Sequence, residues 1–154
     1  MPDSLRRTKL TIHYSRNDKK YLDELLVYLK PLERMKAIEI FVDSRIGVGM
    51  VWDQAIKSAI EEADVALLLV SQTFFASDYI IETELPLVLT AVRERELALL
   101  SLILEPCQFE EHELARYQAV NDPSRPLSSL RRNGRLGVYK DAAKLIDKLV
   151  RRAP

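Results

Sequence analysis

The chain has 154 residues, 47% of them hydrophobic and 30% charged, which is the size and composition of one ordinary domain with a real core. Its 23 Lys and Arg balance 23 Asp and Glu, and a formal charge of zero gives no support for a nucleic-acid or membrane-surface partner. Cys107 is the only cysteine, which excludes an internal disulfide and favours a reducing compartment, and one Cys with two His (His13, His112) cannot build a zinc site without many carboxylates.

Residues 1–8, MPDSLRRT, read as an N-terminal extension. No apolar region follows the arginines, so no signal peptide is expected. KLTIHYS (9–15) is short, apolar and β-branched, as a strand covered on both faces should be. Residues 18–32 then place Tyr21, Leu22, Leu25, Leu29 and Leu32 on one helical face. A second strand, IEIFVDS (38–44), precedes a helix over 51–62 carrying Trp52, Ala55, Ile56, Ala59 and Ile60. The third strand is ADVALLLVS (63–71), followed by a helix over 79–95 with Ile81, Leu85, Val88 and Val92. The fourth is LALLSLILE (97–105); its apolar run is far short of a membrane span. Residues 106–137 hold a short helical piece (FEEHELARY), a short fifth strand (YQAVN) and a loop rich in Pro, Ser and Arg. A last helix over about 139–152 carries Ala142, Leu145, Ile146 and Leu149. The chain stops at LVRRAP, within a charged helical pattern, which fits one domain cut from a longer protein.

Strand alternating with helix means right-handed βαβ units and a parallel sheet. Ligands of such sheets bind beyond the carboxyl ends of the strands. Here those ends are HYSRND, VDSRIGVG, VSQTFFASD and LEPCQ. Familiar phosphate and nucleophile motifs are missing from them. RIGVGMVWD lacks the second half of a P-loop, and GVGMVW follows the second strand with Trp52 where a dinucleotide fingerprint needs its third Gly. A receiver domain would need an acid cluster after the first strand and an Asp ending the third; the chain has Ser15-Arg16-Asn17-Asp18 and Val70-Ser71. A nucleophile elbow is absent too. Cys107 with His112 is a thin case for a reactive pair, and a structural cysteine is the simpler reading.

The stretch SDYIIETELPLV (77–88) carries two acids, Glu82 and Glu84, just after the third strand-end loop. On a helix, residues three and four apart are neighbours. Glu84 then meets Ile80, Ile81, Leu87 and Val88, whereas Glu82 meets Asp78, Tyr79, Leu85 and Pro86. Glu84 should therefore be the more desolvated acid, and a carboxylate held against an apolar wall is a usual way to make a catalytic group. Pro86 is tolerated best in a first helical turn, which puts Glu84 near the cleft. The competing reading is an acid placed in a first turn by the helix dipole alone.

Taken together, these segments resemble the TIR domain, the Toll/interleukin-1 receptor module, in its bacterial form. LTIHYSRND is similar to the family's strand-one box, FVDSRIGVGMVWDQAI to its second box, and LLLVSQTFFASDYIIETELP to the run ending in Glu-Leu-Pro. The resemblance spans residues 9–152 and implies a flavodoxin-like three-layer fold: a five-stranded parallel sheet, order 2-1-3-4-5, with helices on both faces. Some members are adaptors that assemble with other TIR domains; others, including many bacterial ones, cleave NAD+ at the nicotinamide–ribose bond. In those enzymes a Glu followed by Leu is essential, which the resemblance carries to Glu84. It further implies a substrate pocket walled by Tyr14, Ser15, Arg16, Asp43, Trp52 and Ile80, with Arg16 a diphosphate contact. The assembly loop would be Arg45, Ile46, Gly47, Val48 and Gly49. NAD+ is then substrate, no cofactor or metal is needed, and the expected setting is cytoplasmic bacterial immune defence. Three positions depart from the pattern. His13 replaces the usual serine, Val48 stands where a proline is common, and Ile80 stands where enzymatic relatives often carry Trp, with Tyr79 adjacent.

Overall fold

In a computed structural model, residues 7–43 and 52–152 are described, Arg151 and Arg152 by their backbone alone. Strands β1 (Thr8–His13), β2 (Ile38–Val42), β3 (Val65–Val70) and β4 (Ala98–Ile103) pair in parallel in the order β2-β1-β3-β4. The helices are α1 (Lys19–Arg34), α2 (Trp52–Glu62), the short α3 (Gln72–Ala76), α4 (Leu85–Arg95) and α5 (Arg132–Arg152).

Alternation along β3 explains the three layers. Val65, Leu67 and Leu69 face a core shared with Leu22, Leu25 and Leu29 of α1 and with Tyr139, Ala142 and Ile146 of α5. Ala66, Leu68 and Val70 face the opposite core, built with Ile56 and Ile60 of α2 and Leu85 and Val88 of α4. A central strand buried on both faces gains from apolar residues at every position, which is why VALLLV shows no polar alternation.

The expected fifth strand does not form. Beside β4, only Ser101 and Ala119 make an isolated parallel bridge. The next ladder position is taken by a side chain: the Ile103 amide donates to Asn121 Oδ1 at 2.9 Å, and Asn121 Nδ2 donates to the Ile103 carbonyl at 3.0 Å. One carboxamide thus supplies the donor and acceptor that a strand residue would have offered. Pro123 and Pro126, which have no amide hydrogen, follow at once and prevent a longer ladder. Helix α5 begins at residue 132 rather than near 139, extending the expected helix by two turns.

Helix structure around Pro86 also differs from the expected single helix. Residues Ile80–Glu84 form a π turn in which the Leu85 amide bonds the Ile80 carbonyl, and α4 starts only at Leu85. Pro86 has no donor and its ring crowds the carbonyl four residues back, so the turn before it widens. Ser77 ties down the start of this turn through Oγ to the Ile80 amide (3.3 Å) and its carbonyl to the Ile81 amide (3.0 Å).

Candidate active site

Beyond the carboxyl ends of β1, β2 and β3 lies a cleft of about 530 Å³. Its walls are Tyr14, Ser15, Arg16, Asn17, Asp43, Trp52, Ser77, Tyr79, Ile80 and Glu84. Glu84 and the six residues named above as a pocket therefore line one space, drawn from four segments of the chain. The residues named as an assembly loop, Arg45, Ile46, Gly47, Val48 and Gly49, lie outside the described residues.

Glu84 is 7% exposed, and its Oε1 lies 2.7 Å from Nδ1 of His13. His13 is buried at the end of β1 and reaches back through Nε2 to the hydroxyl of Thr11, 3.1 Å away. Thr11 and His13 share a strand face because side chains repeat every second residue. Glu82, by contrast, is exposed.

Asp43, one residue past β2, lines the same cleft. Its carboxyl is held above the usual carboxylate range, first by burial and then by the negative charge of Glu84; a hydrogen bond from Tyr14 and the charge of Arg16 pull the other way. Tyr79 donates to Oδ1 of Asp53 at 2.7 Å, which ties the π turn to the first turn of α2. Burial and that bond both push its hydroxyl up. The Arg16 guanidinium sits 5.6 Å from the centre of the Trp52 ring, a cation–π arrangement at the rim of the cleft. Trp52 keeps 37% of its surface exposed.

The loop that carries Arg16 is anchored from below. Asp18 is 3% exposed; its Oδ2 accepts from Ser71 Oγ at 2.5 Å and from Thr73 Oγ1 at 3.1 Å. Ser71 also caps α3 by accepting the Phe74 amide. The acid after β1 and the serine after β3 thus clamp two strand ends together, and neither enters the cleft.

Sequence reasoning missed His13, Asn17, Ser77 and Tyr79 as walls or partners of the site. The signal for His13 was available: Lys9, Thr11 and His13 are polar residues on one face of a strand whose other face carries the apolar Leu10 and Ile12. The partner of His13 could not be read, because it comes from 71 positions further along the chain.

Cys107 and His112 stay apart in role. Burial pushes the Cys107 thiol up, and His112 accepts the Leu114 amide at Nδ1 and packs against the Phe75 ring. No group of three or more His, Cys, Asp or Glu able to hold a metal ion occurs among the described residues. Among them, too, no helix is long and apolar enough to cross a membrane.

A family profile described as "TIR domain" matches residues 11–130. The uncharacterized protein y4lF of Sinorhizobium fredii is 32% identical over 115 residues, 75% of this chain, and this chain spans only 36% of that protein. The crystal structure of the TIR domain of the Toll-related receptor TRR-2 from Hydra magnipapillata superimposes with a TM-score of 0.59 at 22% identity, covering 91% of this chain and 96% of the other. That second likeness concerns the fold alone.

Proposed function

The chain belongs to the TIR domain family, and on that premise we propose that it is an NAD+ nucleosidase in which Glu84 is the central residue. The observation that carries the reading is a buried carboxylate in the wall of a cleft large enough for a dinucleotide portion, at the strand ends where such sheets bind ligands.

In the reaction, the bond between nicotinamide and ribose C1′ breaks, and its electron pair leaves with the nicotinamide. Positive charge develops on the ribose, and the Glu84 carboxylate stabilises it while accepting from the ribose hydroxyls. Water then adds to C1′ and releases one proton, giving ADP-ribose; addition of an adenine nitrogen instead gives a cyclic isomer. Arg16 faces the diphosphate, and Trp52, Tyr79 and Ile80 bound the space for the rings. No metal or cofactor enters this scheme. Self-assembly through residues 44–51 would complete the cleft, and bacterial immune defence is the setting we propose.

A second reading is a non-catalytic module that signals through TIR–TIR contacts. Ile80, where enzymatic relatives often have Trp, favours it.

The experiment is chromatographic detection of nicotinamide from NAD+ with concentrated protein, with and without a crowding agent, beside Glu84→Ala. Release that vanishes in the variant supports the enzyme. No release under any condition, together with partner binding that survives Glu84→Ala and fails on changes at Ile46 or Val48, supports the second reading.

A further inference from the structure

Thr11, His13 and Glu84 form a line of polar groups through a layer that is mostly apolar, with buried Ser101 further along the same row of the sheet. All three are buried, at 1%, 3% and 7% exposure. His13 lies beside Leu68 in the sheet, and the core on Leu68's side also holds Ile56 and Val88. Buried polar groups cost stability unless each finds a partner. Here the line satisfies itself: Thr11 Oγ1 to His13 Nε2 at 3.1 Å, then His13 Nδ1 to Glu84 Oε1 at 2.7 Å. An apolar pair would fill the same space without needing such matching. A chain of this kind that ends on the wall of the cleft points to a use there.

We infer that His13 is the positioning residue for Glu84, an inference that rests on the enzymatic reading above. The short contact requires a proton between nitrogen and oxygen, and a carboxylate can only accept. The ring proton therefore sits on Nδ1, and Nε2 accepts from the Thr11 hydroxyl, which is free to rotate into the donor orientation. Nδ1 holds Oε1 in place, and Oε2 becomes the oxygen presented to the substrate. This arrangement also separates the two acids of the cleft. Asp43 is supported by the Tyr14 hydroxyl and faces Arg16, while Glu84 alone has a ring N–H behind it. Tyr79 and Asp53 bond each other and leave the His13–Glu84 contact undisturbed. His13 never touches substrate; it acts through the carboxylate.

The test uses His13→Ala, His13→Asn and the wild type, with two readouts. The first is steady-state nicotinamide release under assembling conditions. His13→Ala is expected to lose about 100-fold in kcat with KM little changed, because a freed carboxylate samples wrong geometries. His13→Asn, whose amide N–H falls near the position of Nδ1, is expected to restore most of that loss. The second is nitrogen NMR of the wild-type imidazole in the protein as it is, expected to show the proton on Nδ1. Melting curves on each variant accompany both. Equal kcat in all three proteins would overturn the inference, as would His13→Asn as slow as His13→Ala when both melt like the wild type. A proton on Nε2 would overturn the positioning role alone. No nicotinamide from the wild type would overturn the enzymatic reading, and with it the catalytic half of this inference.

Discussion

His13 and Glu84, 71 positions apart in the chain, meet through a 2.7 Å contact, and Glu84 lines the cleft. One ends a central strand and the other ends a π turn, so the contact joins the sheet to the helical layer. The cleft residues around them differ in what they should do when changed.

Activity should depend on concentration. If neighbouring copies complete the cleft through residues 44–51, the rate per molecule rises with protein concentration, crowding or fusion to an oligomerising partner. A specific activity that stays constant from dilute to concentrated protein would remove assembly from the scheme while leaving the chemistry.

Asp43 should be a source of instability at neutral pH. Burial and Glu84 raise its carboxyl above the ordinary value, so the folded chain holds this proton more tightly than the unfolded chain does. The sign follows: its contribution to stability falls as pH rises through the window between the unfolded value near 4 and the raised folded value. Asp43→Asn removes the charge and keeps an acceptor for Tyr14. It should melt about 2–4 °C higher at pH 7, with the advantage fading as the solution is acidified toward about pH 4. Calorimetry across that range checks it; a constant difference at every pH would contradict the assignment.

Ser71 holds two structures at once, the N-cap of α3 and the clamp on Asp18. Ser71→Ala should cost about 2–3 kcal/mol, since it loses a cap and leaves a buried carboxylate short of a donor. Because Asp18 anchors the Arg16 loop, KM should rise as well. Denaturant melts with kinetics on the surviving folded protein measure both, and a variant as stable as the wild type would show that the clamp is redundant.

Asn121 closes the β4 edge in place of a strand. Asn121→Ala should lose about 1–2 kcal/mol, two hydrogen bonds to one residue being replaced in part by water. The Ile103 amide should exchange with solvent faster than its neighbours Leu100 and Leu102. Uniform protection along β4 in the variant would mean that the backbone at Gln118 and Val120 alone secures the edge.

What was legible in the sequence was whatever depends on neighbours along the chain. Four apolar β-branched or Leu-rich runs separated by amphipathic stretches are enough to imply four parallel strands and the helices between them, because burial on two faces leaves a local pattern. The strand-end location of Tyr14 and Asp43, and that of Glu84 just after the third strand-end loop, followed from the same alternation. The fifth strand was misread because YQAVN has strand-like residues, and nothing local tells that Asn121 uses its side chain for the pairing. The π turn was missed because helical spacing assumes a regular turn, and Pro86 acts on the turn before it. Above all, the sequence could rank Glu84 over Glu82 by its apolar neighbours, but the group that grips Glu84 comes from a distant strand, β1. Only the tertiary structure decided that partner, because packing a sheet against a helix brings together side chains whose separation in the chain carries no information about their contact.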